Sequence, residues 1–231
     1  MSIAKNVTEE FLDKCQSYGD NTLLEGEIPR VKMVSHRMQK GSFLHKAPCQ
    51  NTLSLFFSID GDVSFQTSHD LLIYKEKAVF LDLPMRELTI KADSDCFIIE
   101  VQIPKIGDLN EQMFPFSKPY YESEQYRDAC KSDKSISRAV LPFGLIPGFD
   151  FGSVQTTGPD RIEQHCHPLK DQVFMSFKEN GATLLIDEGT YEFKENVALH
   201  IPLGSHHGVS AKEGQLVHYL WFDFTFPEKD V

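Results

Sequence analysis

The stretch Gly158-Pro-Asp-Arg-Ile-Glu-Gln-His165-Cys166-His167-Pro-Leu-Lys-Asp171-Gln172 decides how this chain is read. In an extended strand, residues two apart point to the same side, so His165 and His167 present two imidazoles together while Cys166 faces away. An isolated pair of this kind is ordinary on a solvated strand. A second segment gives it weight: Pro202-Leu-Gly204-Ser-His206-His207. Pro202 and Gly204 shape a tight turn at a strand end, and a third imidazole delivered there completes a facial set. Six of the nine histidines, His165, His167, His200, His206, His207 and His218, lie in this part of the chain. A histidine-rich β segment is a candidate metal site.

Around these residues the pattern is that of short strands. Gln172–Phe177, Ala182–Ile186, Thr190–Phe193, Val197–Ile201 and Leu216–Phe224 are separated by the turn signals Asn180-Gly181 and Asp187-Glu-Gly189. An earlier set resembles it: Thr52–Ile59, the hairpin signal Asp60-Gly61, then Val63–Thr67, Leu71–Tyr74, Ala78–Leu83, Glu87–Ile90 and Cys96–Ile103. Many short strands at close spacing predict an antiparallel sandwich or barrel, and the echo between the two sets suggests an internal duplication. Between them, residues 105–137 are broken by Pro115 and Pro119 and read as a linker with one helix over Ser123–Lys131. Residues 6–17 read as a short amphipathic packing helix, capped by Asn6 with Phe11, Leu12 and Cys15 on one face.

Composition narrows the partners. The chain has 231 residues, 41% of them hydrophobic, enough for one large domain or two small ones. Its net charge is -11, and both halves are acidic, which excludes the basic footprint that duplex nucleic acid demands. The first residues lack the apolar core of a signal peptide, and no apolar run approaches the length of a membrane span, so neither is expected. Five cysteines with no CxxC pair fit free thiols and a cytoplasmic location. Phosphate-loop, nucleophile-elbow and dinucleotide fingerprints are all missing from the sequence.

Residues 158–181 and 195–208 resemble the two motifs of the cupin superfamily, written G-x5-HxH-x3or4-E-x6-G and G-x5-PxG-x2-H-x3-N. Pro202, Gly204 and His207 match the second motif's spacing, which selects His207 over its neighbour His206. The resemblance implies His165, His167 and His207 as ligands of one divalent metal. Three departures stand out. Six residues, not five, separate Gly158 from His165; Glu195 or Asn196 replaces a glycine; and the motif's glutamate is absent. Gln172 or Asp171 stands in its place, and Gln172 is favoured because a turn aided by Pro168 resets the alternation. A neutral amide binds a cation more weakly than a carboxylate does. The first half aligns on the same template with His45 alone and with Arg86 where the last histidine belongs, so it reads as a degenerate lobe.

The expected fold is therefore all-β: two tandem cupin β-barrels (double-stranded β-helix or jelly roll) with a few short helices. Residues 1–107 form the degenerate lobe, 108–137 a linker and 138–231 the metal lobe. Phe174, Ser176, His200, His218 and Trp221 are candidates for the second lobe's lining, and His206 and Tyr191 are further pocket candidates. The resemblance implies a metal-dependent bicupin acting on a small molecule, with a homodimer as its expected assembly. Fe would suit a dioxygenase; Mn, Ni or Zn would suit an isomerase or lyase. The alternative is a non-catalytic binder of a carbohydrate or metabolite.

Overall fold

The structure, a computed structural model, describes residues 7–12 and 18–225. Its regular structure is almost wholly strand. A first short strand, β1 (Glu9–Phe11), is followed by β2 (Gly19–Leu23), β3 (Lys32–Met38), β4 (Phe43–Lys46), β5 (Thr52–Asp60) and β6 (Val63–Gln66). Then come β7 (Leu71–Tyr74), β8 (Ala78–Leu81), β9 (Leu88–Ala92), β10 (Cys96–Pro104) and β11 (Phe116–Pro119). The later strands are β12 (Glu124–Tyr126), β13 (Ile136–Ala139), β14 (Phe149–Thr157), β15 (Asp160–Cys166), β16 (Asp171–Ser176) and β17 (Ala182–Ile186). The last four are β18 (Gly189–Phe193), β19 (Val197–Ile201), β20 (His206–Ala211) and β21 (Leu216–Phe224). Two 3-10 turns, Glu111–Met113 and Tyr120–Glu122, are the helical segments among the described residues.

The chain divides into two compact units, residues 13–123 and residues 1–12 with 124–231. In the first unit a six-stranded sheet, β11-β8-β5-β10-β3-β2, faces a four-stranded one, β4-β9-β6-β7. In the second, a seven-stranded sheet, β1-β19-β16-β21-β14-β13-β12, faces β15-β20-β17-β18. The orders correspond strand for strand, with β8, β5, β10 and β3 matched by β19, β16, β21 and β14, and β4, β9, β6 and β7 by β15, β20, β17 and β18. Each unit keeps its apolar core between its two sheets, around Phe56, Phe65 and Phe80 in the first and Phe174, Leu199 and Val209 in the second. This is an all-β jelly-roll architecture. Neither unit closes into a barrel, because the chain passes between facing sheets through turns and the hydrogen-bond ladder is interrupted there.

Three expectations are corrected. Glu9–Phe11 is a strand, not part of a helix: its backbone pairs with the open edge of β19, Glu9 opposite Leu199 and Phe11 opposite Val197. The remainder of that expected helix, with Asn6 and Cys15, lies outside the described residues. Ser123–Lys131 is not helical either, since Glu124–Tyr126 pairs with β13. Residues 108–137 also do not form a separate linker, because β11 pairs with β8 of the first unit and β12 with β13 of the second.

In the first unit the space between the sheets holds a buried charged network. Glu100 Oε2 lies 3.0 Å from His36 Nε2, Glu100 Oε1 lies 2.7 Å from Lys46 Nζ, and His36 Nδ1 lies 2.7 Å from Asp20. Ser54 and Gln102 also donate to Glu100. Burial opposes charge on Glu100, but its donors outweigh that and bring its pKa down to about 2. Burial likewise works against the His36 cation, and the hydrogen bonds to Glu100 and Asp20 outweigh it, raising its pKa. The linkage has a definite sign. The His36 contribution is complete below its unfolded pKa and is lost as pH rises through the folded value. The Glu100 contribution is present above its unfolded pKa and is lost as pH falls toward 2. Glu100→Gln should destabilise by about 3–5 kcal/mol, as breaking a buried pair does. His36→Gln should flatten the loss of stability between neutral and alkaline pH. Urea unfolding over a pH series measures both, and an unchanged alkaline slope in His36→Gln contradicts the assignment.

Candidate metal centre

Strands β15 and β20 pair antiparallel, and His165 and His207 are Cα partners near the end of that ladder, one pair before Cys166 and His206. His167 follows just beyond β15. The three rings converge, with centroids 4.6 Å apart for His165 and His207, 4.9 Å for His165 and His167, and 5.5 Å for His167 and His207. One nitrogen from each lies within 4.8 Å of the others. Nitrogens bound to one ion at roughly 2.1 Å lie no more than about 4 Å apart, so small ring rotations close the set.

The extra residue before His165 has a place. The β15–β20 register shifts between Ile162 and His165, where three steps on β15 span two on β20. The surplus is taken up as a bulge. Gly208 faces it, and a Cβ there would meet the Ile162 carbonyl oxygen at 2.7 Å.

Ring orientation is set from behind. His165 Nδ1 donates to the Glu163 carbonyl at 2.9 Å and His207 Nδ1 to the Ser205 carbonyl at 3.3 Å, leaving Nε2 of each as the lone-pair side. Burial, helped by the neighbouring His165, brings the His207 pKa down to about 3. Burial also lowers that of His167, against the pull of Asp223. Neutral imidazoles are the ligand form, so the donor set fits a divalent ion.

The rings open on a cavity of about 190 Å³. Its wall includes the aromatic residues Tyr126, Phe143, Phe174, Tyr219 and Trp221, and it carries two acid–base pairs. Lys131 Nζ lies 3.1 Å from Asp128, and Lys170 Nζ lies 3.0 Å from Asp223. Gln172 is buried in this wall, and its Nε2 donates to Asp223 Oδ1 at 2.7 Å. Burial holds the phenol pKa of both Tyr126 and Tyr219 above its ordinary value.

The structure sorts the expected residues by strand parity. Phe174, Leu199, Ile201, Tyr219 and Trp221 share the inner face, and Gln172 is in phase with Phe174. Asp171 turns away and lies 3.4 Å from His200 Nε2. His200 and His218 are therefore on the opposite face and do not line the cavity; His218 Nδ1 meets Glu179 at 2.7 Å. Their strands are apolar runs buried on both faces, so alternation left no mark in the sequence. Ser176 is interior but deeper, accepting from the Val197 N–H. Tyr191 packs partly buried against the core without reaching the cavity wall. His206 is exposed opposite Cys166, its N–H donating to Asp187.

Sequence reasoning missed several residues. Asp223 lies within the run Leu-Trp-Phe-Asp-Phe, and only its place opposite Gln172 reveals it. Cys130, in a stretch expected to be a helix, holds its Sγ 4.0 Å from His165 Nε2. Gly152 lies opposite Trp221, and a Cβ there would collide with the indole and with the Arg138 carbonyl.

No family model and no curated protein matches this chain. Solved structures do. An oxalate decarboxylase from Lactobacillus farciminis, in a formate complex, aligns with a TM-score of 0.74 at 10% identity, over 97% of this chain and 88% of that one. A cupin 2 conserved barrel domain protein from Leptotrichia buccalis aligns at 0.65 and 12%, over 98% of both chains. An IolB-like protein from Salmonella typhimurium aligns at 0.67 and 12%, over 87% and 85%. No helix among the described residues is long and apolar enough to cross a membrane.

Gly152→Ala should push the indole into the cavity and destabilise the fold by about 1–3 kcal/mol, the cost of overpacking. Trp221 is the sole tryptophan, so its emission reports the shift directly. Unchanged emission and unchanged urea midpoint would contradict the packing described here. At these identities the alignments establish architecture alone, and what this chain shares with those proteins is the cupin fold.

Proposed function

We propose that this chain is a metal-dependent bicupin enzyme acting on a small carboxylate, with His165, His167 and His207 holding one divalent ion, Fe, Mn, Ni or Zn, in the second unit. The observation that carries the reading is the convergence of three imidazoles on a cavity large enough for a small molecule. The matching strand orders of the two units support the bicupin layout. Gln172 stands beside the ligands, tied to Asp223, as a positioning group.

The carboxylate class rests on the wall's hydrogen-bond inventory. Its acids are already engaged: Asp128 by Lys131 and Cys130, Asp223 by Lys170 and Gln172. Trp221 Nε1, by contrast, is a buried donor without a partner among the described residues. A ligand that satisfies it must bring an acceptor oxygen. The oxalate decarboxylase in formate complex, a small-acid enzyme by its name, supports the same class.

When bound, the ion supplies Lewis acidity suited to lyase or isomerase chemistry and, if it is iron, to dioxygenase chemistry. The chain's own residues do the rest. Trp221 Nε1–H and the Lys170 ammonium orient the substrate's oxygens. The aromatic residues limit water, and the phenols of Tyr126 and Tyr219, held protonated by burial, add no charge beside the two acid–base pairs.

The test is to strip the protein with chelator, reload each metal in turn and follow a panel of short mono- and dicarboxylates by NMR. We expect one metal to restore consumption of one acid, His207→Ala to abolish it, and Trp221→Phe to raise KM by about three- to tenfold, the weight of one hydrogen bond. Acids that bind without being consumed overturn the enzyme reading in favour of a metabolite binder. Acids that do not bind at all overturn the carboxylate class.

A further inference from the structure

The first unit has a cavity of its own, about 40 Å³, where β4 and β5 meet the turn after β8. Its polar wall is formed by Lys46, Cys49, Thr52, Ser54, Asp82 and Arg86. Two features there have no role in the fold or in the metal centre.

The first is an unmet acceptor. Asp82 is only 8% exposed. Its Oδ1 accepts from the Leu83 N–H at 2.7 Å and from Arg86 Nη1 at 3.0 Å, while its buried Oδ2 has no partner among the described residues. An unpaired buried carboxylate oxygen is costly, and a ligand donor relieves that cost. Arg86 spends one nitrogen on Asp82 and is 36% exposed at the rim.

The second is a thiol. Cys49 is exposed, and its N–H donates to the Pro84 carbonyl at 2.8 Å, which ties its loop to the Asp82–Arg86 turn. The Thr52 hydroxyl and the Asn51 and Thr52 amides bond its sulfur and favour thiolate, lowering its pKa. Two other thiols are held back: burial pushes Cys96 up to about 12 and Cys130 up to about 11.

We propose that Cys49 and this cavity form a thiol-exchange site for a small aminothiol of the cysteine class, taken up from its disulfide. The Cys49 thiolate attacks one sulfur of the disulfide. A new S–S bond joins that half to Cys49, the old S–S bond breaks, and the other half leaves as a thiolate that takes a proton from water. The retained half places its ammonium against Asp82 Oδ2 inside the cavity and its carboxylate against Arg86 at the rim. A cavity of this size holds about three waters, which matches an ammonium and its stem rather than a larger group. Excess free thiol reverses the adduct.

The experiment treats the full chain, native and reduced, with cystine, with dithiodipropionate, which lacks the ammonium, or with hydroxyethyl disulfide, which lacks both charges. Intact mass and peptide mapping follow the adduct. We expect a single reversible adduct on Cys49, formed about tenfold faster from cystine than from dithiodipropionate once each rate is divided by that of the same disulfide with a free small thiol, which removes the leaving-group difference; tenfold is the weight of a charge-assisted hydrogen bond. Asp82→Asn should remove that preference while leaving the rate with hydroxyethyl disulfide unchanged, and Cys49→Ser should remove the adduct. Modification that falls first on Cys130 or Cys166 overturns the proposal. So do equal normalised rates for all three disulfides, and a normalised cystine preference that survives in Asp82→Asn.

Discussion

The candidate centre depends on one ladder, the antiparallel pairing of β15 with β20. His165 and His207 are far apart in the chain, and they meet because they are Cα partners near its end. A slip of one residue would turn every side chain to the other face, bringing His206 and Cys166 inward in place of His165 and His207. The bulge between Ile162 and His165 keeps the register at the end that matters, and Gly208 leaves it the room it needs. Backbone carbonyls of Glu163 and Ser205 then fix the rings, so the site is oriented by the same two strands that carry it.

The two units run the same strand order and put different chemistry at the same place. In β5 and β10, Phe56 lies opposite Glu100; in β16 and β21, Phe174 lies opposite Trp221. On the next strand, Val34 flanks Glu100 and Gly152 flanks Trp221. The first unit thus fills its interior end with a carboxylate, a histidine and a lysine, held by mutual hydrogen bonds. The second lays an indole over a glycine and leaves a cavity in front of three imidazoles. A shared backbone with divergent inward residues is how one architecture holds different chemistry in its two copies.

Much of this was legible from residues alone. The paired strand sets, the hairpin at Asp60-Gly61 and the HxH and PxG-x2-H spacings anticipate the sheets and the three converging rings. What escaped reading was whatever depends on tertiary pairing. Glu9–Phe11 has a helix-like pattern but completes an open sheet edge. Glu124–Tyr126 has helical composition but pairs with β13. His200 and His218 sit in runs buried on both faces, where period-two alternation is invisible, so their outward orientation shows only in the register. Asp223 and Cys130 reach the centre through neighbours distant in sequence, and no local spacing announces them.

The claim on which the account rests is that three histidines of the second unit bind an ion. Protein purified without chelator and analysed for metal by mass spectrometry tests it most directly, against a variant carrying His165→Ala, His167→Ala and His207→Ala whose strand content is checked by circular dichroism. The account predicts close to one divalent ion per chain in the wild type and almost none in a folded variant. Equal metal content in the two folded proteins, or none in a wild type offered Fe, Mn, Ni and Zn in turn, would contradict it.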